Sequence, residues 1–162
     1  MLFRSEIDSA LFGTIFHLSA QLAYTDLTAN GKMIQREDLE RLLRDEIKLQ
    51  GYVDQAFKQE LFKVAPEEKP EYNGVQLINS KVIVSYLKQL LRNDLQYTPF
   101  EMVAMEKKVS EKITIQTALG PLTLRLGGTI DRMDAKEGIQ RWWMKKSTPF
   151  LYLPNIALNE AL

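Results

Sequence analysis

The hydrophobic period of this chain changes at Pro99, and that change constrains its layout more than any other feature. Before Pro99 apolar residues recur every three to four positions; after it they alternate. From Asp8 to about Leu27 the apolar positions are Leu11, Phe12, Ile15, Phe16, Leu18, Leu22 and Ala23, which predicts a helix. Asp8 or Ser9 supplies its N-cap and Asn30-Gly31 its end. A second helix is expected from about Arg36 to Gln50, with Leu39, Leu42, Leu43 and Ile47 on one side and Gly51 as its stop. A short third runs from Val53 to Lys63. Beyond the proline-bounded loop Pro66–Pro70, a long amphipathic helix spans about Ser80 to Gln96, its start lying nearer Val75.

Past Pro99 a strand run from Phe100 to Lys108 precedes alternating Lys112–Thr117, and Leu119-Gly120-Pro121 reads as a hairpin turn. Leu122, Leu124 and Leu126 alternate in the next strand. Gly127-Gly128 reads as a bulge before Thr129–Met133, Asp134–Gly138 as a second turn, and Ile139–Met144 as a last strand. The expected fold is α+β: N-terminal helices followed by an antiparallel β-meander. Such a sheet leaves an uncovered edge, through which a homodimer could form.

Composition then excludes several chemistries. The 162 residues contain no cysteine, so disulfides, thiolate metal sites and cysteine nucleophiles are ruled out. His17 is the one histidine, which rules out any site needing two. Lys plus Arg and Asp plus Glu are 21 each, which disfavours nucleic-acid binding by bulk charge but leaves room for a local basic stripe. No stretch approaches the roughly 18 apolar residues of a membrane span, and the N-terminus lacks the apolar run of a signal peptide. No membrane association and a cytoplasmic location are expected.

Four groups stand out chemically. Gly13 and His17 share a helix face; His17 suits a metal ligand or proton carrier, or a hydrogen-bonded core-edge histidine, and Gly13 suits close approach of another backbone. Asp131 ends an apolar strand, where aspartate is depleted; it suits a hard cation, or a turn cap paired with Arg132. Asp134, just before the turn, reads as a capping residue. Trp142 and Trp143 with Lys145 and Lys146 could stack on and neutralise nucleic acid, or simply pack an edge strand. Lys107, Lys108 and Lys112 form a short basic run, read either as a nucleic-acid contact or as a solvated hairpin end.

A helix with Gly13-x-x-x-His17, a meander with Gly128-Thr-Ile-Asp131-Arg132-Met-Asp134, and a following strand ending in Lys146 together resemble the PD-(D/E)XK nuclease superfamily. The closest branch is the RecB/AddB-type exonuclease domain of bacterial double-strand-break repair enzymes. The resemblance runs from Asp8 to about Lys146. It implies a partial restriction-endonuclease-like core over residues 1–146, Mg²⁺ or Mn²⁺ as cofactor, DNA as partner, and phosphodiester cleavage. Family members are often fused to helicase-like regions. Carried over residue by residue, His17 and Asp131 become metal ligands, Asp131 and Lys146 catalytic residues, and Glu106 an accessory acid. Lys145, Lys107 and Lys108 are the nucleic-acid-binding candidates.

One departure matters. The family's third motif is Asp/Glu-x-Lys, and Met144 stands where its acid should be. A thioether is a poor ligand for a hard cation, so weak binding of Mg²⁺ or Mn²⁺ and impaired activity are expected. The Gly-rich turn and the later helix bearing Gln and Tyr are also missing. Because Trp and Met have single codons, Trp142–Lys146 is encoded as TGG TGG ATG AAR AAR. Read one nucleotide earlier, it becomes an aliphatic residue, then Val-Asp-Glu and Lys or Glu, which contains the missing motif. A frameshift near Arg141 is therefore expected, leaving 147–162 as an irregular, out-of-frame tail. The alternative function is a non-catalytic nucleic-acid-binding or dimerising module.

Overall fold

The computed structural model describes residues 7–65, 68, 71–118 and 120–144. It is α+β, as the change of period predicts. Helix α1 (Ser9–Leu27) leads into the two-residue strand β1 (Met33–Ile34), and helices α2 (Arg36–Arg44), α3 (Glu46–Phe57) and α4 (Gly74–Tyr97) follow. Strands β2 (Phe100–Thr117), β3 (Gly120–Lys136) and β4 (Ile139–Met144) complete an antiparallel sheet in the order β1-β2-β3-β4.

Local capping sets the helix boundaries. Asp8 Oδ1 accepts from the Leu11 amide at 2.7 Å, which starts α1 where the sequence places it. The Asn73 and Gln76 side chains each accept from the other's backbone amide, at 2.9 and 3.0 Å. That reciprocal box starts α4 at Gly74, next to the earlier of the two expected starts, Val75, rather than at Ser80. Asp45 breaks the expected Arg36–Gln50 helix in two, its carboxylate accepting from the Lys48 amide at 2.9 Å. Gly51, expected as a stop, lies inside α3. Leu49, Val53, Ala56 and Phe57 are all buried, so one apolar stripe crosses the glycine and tertiary packing outweighs its low helix propensity. A π-helical turn, Lys58–Phe62, closes α3 and ends at Lys63 in the left-handed region (φ 54°).

The core lies between the helices and the near end of the sheet, where Ile15, Tyr24, Leu49, Phe57, Leu87 and Phe100 are fully or almost fully buried. Three expectations for the sheet need correction. Gly120 and Pro121 belong to β3, paired with Thr117 and Gln116, rather than to the first hairpin turn. β3 pairs with β2 without interruption past Gly127-Gly128; the register breaks are instead at Val103 of β2 and at Asp131 of β3. The second turn is shorter than Asp134–Gly138: it is Glu137-Gly138, both at positive φ (52° and 78°), as the tightest hairpins require.

A buried polar chain joins helices to sheet. The Tyr24 hydroxyl on α1 donates to Asp94 on α4, and Asp94 also accepts from Arg132 Nη1 on β3. Arg132 Nε donates to Asp134 at 2.8 Å, and Asp134 accepts from Arg141 Nε on β4 at 2.8 Å. The guanidinium of Arg132 lies between the rings of Tyr24 and Phe100, 4.8 and 5.0 Å from their centroids. Asp134 is therefore a fully buried ion-pair partner, not a turn cap. Burial by itself works against the Arg132 charge. The negative charges around it outweigh that effect and raise its pKa, while burial and then Asp94 push the Tyr24 hydroxyl well above its ordinary value.

Removing one partner of a buried pair leaves a charge uncompensated. Asp94→Ala is expected to lower unfolding free energy by about 3 kcal/mol or more in urea denaturation. The Asp94→Leu, Arg132→Met double variant should be less damaging than Asp94→Ala. A loss below about 1 kcal/mol for Asp94→Ala would contradict this role.

Candidate metal centre

The chain's one histidine meets two acids from the sheet. His17 of α1, Glu106 of β2 and Asp131 of β3 each offer one ligand atom, and these atoms lie within 4.8 Å of one another. Two ligands of one cation lie at most twice the bond length apart, about 4.2 Å for Mg²⁺ and about 5.2 Å for Ca²⁺, so a shared ion of Mg²⁺ size draws the most widely separated of these atoms together by a few tenths of an ångström. One imidazole nitrogen and two carboxylate oxygens match Mg²⁺ or Mn²⁺ far better than a soft metal.

The backbone explains how side chains from two neighbouring strands reach a helix. In a regular strand, successive residues alternate faces. Here Ile130, Asp131, Arg132, Met133 and Asp134 are buried in succession. The break lies at Asp131: Ile130 pairs with Met144 and Arg132 with Trp143, so β3 advances two residues while β4 advances one. Such a bulge re-aims the extra side chain. Opposite it, Glu106 sits between the pairs Met105↔Arg132 and Lys107↔Ile130, and its φ is 47°. A non-glycine residue held there costs roughly 1–2 kcal/mol, and such strain concentrates at functional sites. On the helix side, the His17 ring makes an edge contact with Phe16 at 5.9 Å.

Asp131 Oδ1 has no hydrogen-bond partner although it is buried. An unsatisfied buried carboxylate oxygen costs on the order of 1–3 kcal/mol, and more when charged. The alternative in which Asp131 pairs with Arg132 does not hold, because that guanidinium is turned to Asp94 and Asp134. A cation among His17, Glu106 and Asp131 would give the orphan oxygen its partner.

The remaining sequence candidates are placed as follows. Lys107 and Lys108 are both exposed and occupy successive strand positions, opposite Ile130 and Thr129, so they point to opposite faces. Met144 pairs with Ile130, beside the Asp131 bulge. Lys145 and Lys146 lie outside the described residues, as does the tail from 147. Gly13 is not explained by backbone approach, since a Cβ there would meet nothing within 4 Å. The polar chain from Tyr24 to Arg141 leaves little trace in the sequence. Its one legible signal is Asp94, which falls on the stripe of Leu87 and Leu91 and so requires a buried cation.

A family model described as the PD-(D/E)XK nuclease superfamily matches residues 3–148. The chain belongs to the PD-(D/E)XK nuclease superfamily. No curated protein and no solved structure gives a significant match. Divalent metals typically serve PD-(D/E)XK nucleases, and the donor set of His17, Glu106 and Asp131 is compatible with one. Among the described residues, no helix is long and apolar enough to cross a membrane.

Asp131→Asn replaces a carboxylate whose buried Oδ1 has no hydrogen-bond partner and which lies beside a second carboxylate, Glu106. In EDTA this variant is expected to be more stable than the parent by about 1 kcal/mol, read from urea denaturation. Equal or lower stability would mean the carboxylate is already compensated within the protein.

Proposed function

We propose that this chain is the nuclease domain of a bacterial DNA-repair exonuclease of the RecB/AddB type, acting on DNA with Mg²⁺ or Mn²⁺. The observation that carries the reading is the meeting of His17, Glu106 and Asp131 around an orphaned, buried carboxylate oxygen. His17 and Asp131 would hold the cation, with Glu106 as accessory acid. When bound, the cation would polarise a phosphate oxygen and lower the pKa of a water. Asp131 would act from a bulge fixed on both sides by paired strands, which orients its carboxylate with little freedom. The strained backbone at Glu106 would aim its carboxylate into the same space. Lys146 would position water or stabilise developing charge, and Lys107, Lys108 and Lys145 would neutralise phosphates.

Activity is proposed to be impaired, because Met144 replaces the acid of the third motif. A shifted reading frame from about Trp142 would account for both Met144 and the tail. A cytoplasmic location and fusion to a helicase-like region belong to the same proposal.

A second reading has its own observation. Trp142 is 52 % exposed on β4, which favours a non-catalytic module that stacks on nucleic acid. Dimerisation through the uncovered sheet edge would fit that module.

The test compares the parent with Met144→Asp on linear single- and double-stranded DNA with Mg²⁺ or Mn²⁺. The proposal predicts little cleavage by the parent and a gain of at least about tenfold in the variant. Asp131→Asn added to Met144→Asp should abolish that gain. DNA binding without cleavage by either protein would favour the second reading. Metal binding has a separate readout: Mn²⁺ at a hundredfold excess over Kd should stabilise the parent by about 2.7 kcal/mol, and so raise its melting temperature. It should not raise that of Asp131→Asn or His17→Ala.

A further inference from the structure

The β2–β3 hairpin outruns the rest of the sheet. β1 reaches β2 only at Phe100 and Glu101, and β4 reaches β3 only as far as Ile130. From Val109↔Gly128 to Thr117↔Gly120, β2 and β3 pair only with each other among the described residues. The register there is unbroken, so the faces of the ribbon follow from the pairing. One face carries Lys108, Lys112 and Arg125, with Ser110, Thr114 and Thr123 between them. All six are exposed. The other face carries Ile113, Ile115, Leu122 and Glu111.

Three features set the basic face apart from an ordinary solvated hairpin. No carboxylate lies on it, and none of its three cations has an ion pair among the described residues. Lys112 and Arg125 are direct cross-strand partners. Like charges placed opposite each other destabilise a strand pair, and a two-stranded ribbon has little stability to lose. An anion lying across the pair relieves that repulsion. The Thr114 and Thr123 hydroxyls, 3.2 Å apart in the next pair but one, offer neutral hydrogen-bonding groups beyond the cations.

The ribbon also starts at the candidate metal centre. Lys108 is two residues from Glu106 on β2, and Arg125 is six from Asp131 on β3. At about 3.3 Å per residue, six residues cover roughly 20 Å. Measured along the axis of a DNA duplex, that is about six base-pair steps at about 3.4 Å each.

We propose that this face of the β2–β3 ribbon carries the phosphodiester backbone of DNA, Lys108, Lys112 and Arg125 each neutralising a phosphate, and leads the strand toward Glu106 and Asp131. The inference rests on the reading of that centre as a nuclease site. Its contacts are to backbone rather than bases, so they set position and not sequence preference. It also separates Lys108, on the track, from Lys107, on the opposite face.

The test is fluorescence anisotropy of a labelled 20-base-pair DNA duplex in EDTA, so that cleavage cannot interfere, across roughly 50 to 200 mM NaCl. The Lys108→Gln, Lys112→Gln, Arg125→Gln triple variant should flatten the slope of log affinity against log salt by about 2 to 3, and weaken binding about tenfold or more. Glu111→Gln on the other face should not flatten it. Lys112→Gln alone should weaken binding while raising the melting temperature, a combination that a purely structural lysine would not give. A folded triple variant with an unchanged slope, or a parent that does not bind DNA, overturns the proposal. Mn²⁺ binding by the parent and by Asp131→Asn reports on the metal centre separately. Its absence, with the salt effect intact, would strike the nuclease reading and leave the ribbon as a DNA contact.

Discussion

The structure depends on one buried cation. Arg132 sits almost wholly out of water between the rings of Tyr24 and Phe100, and it is tolerated there because Asp94 and Asp134 neutralise it. Those two acids come from a helix and from the strand itself, and Asp134 passes the connection on to Arg141. The resulting chain ties α1, α4, β3 and β4 together. Apolar packing holds layers together but is non-directional. Directional bonds to a rigid guanidinium fix how the sheet meets the helices.

That constraint reaches the next residue. With Arg132 drawn toward Asp94 and Ile130 held in the core, the bulge leaves Asp131 between two anchored neighbours. Its carboxylate is brought beside His17 and Glu106 rather than into the Arg132 ion-pair chain. The site therefore combines a stable frame with local cost: a bulge, a left-handed glutamate and an unsatisfied buried oxygen. Frame and cost occupy adjacent positions of one strand, a pattern expected where binding chemistry is built on a folded scaffold.

Much of this layout was legible in the sequence. The switch of period at Pro99 marks the α-to-β transition, and Asp8 marks the first cap. His17 and Asp131 stood out because a lone histidine and a strand aspartate each need an explanation, and with Glu106 they do meet. Boundaries decided by tertiary packing were not legible. Gly51 looked like a stop because propensity reads one residue, whereas its helix is held by a stripe on both sides of it. Glycine content points to a bulge at Gly127-Gly128, but β3 breaks register at Asp131, in its pairing with β4. From sequence Asp134 looks like a cap, because Arg141 becomes its neighbour only through strand register, and Arg132 reaches it only with both side chains turned inward.

The central claim is that His17, Glu106 and Asp131 hold one divalent cation. The most direct measurement is anomalous diffraction from a crystal of the protein soaked in Mn²⁺. The account predicts one strong peak bonded to the His17 imidazole, a Glu106 oxygen and Asp131 Oδ1. A peak elsewhere, or none at these residues at saturating Mn²⁺, would contradict it.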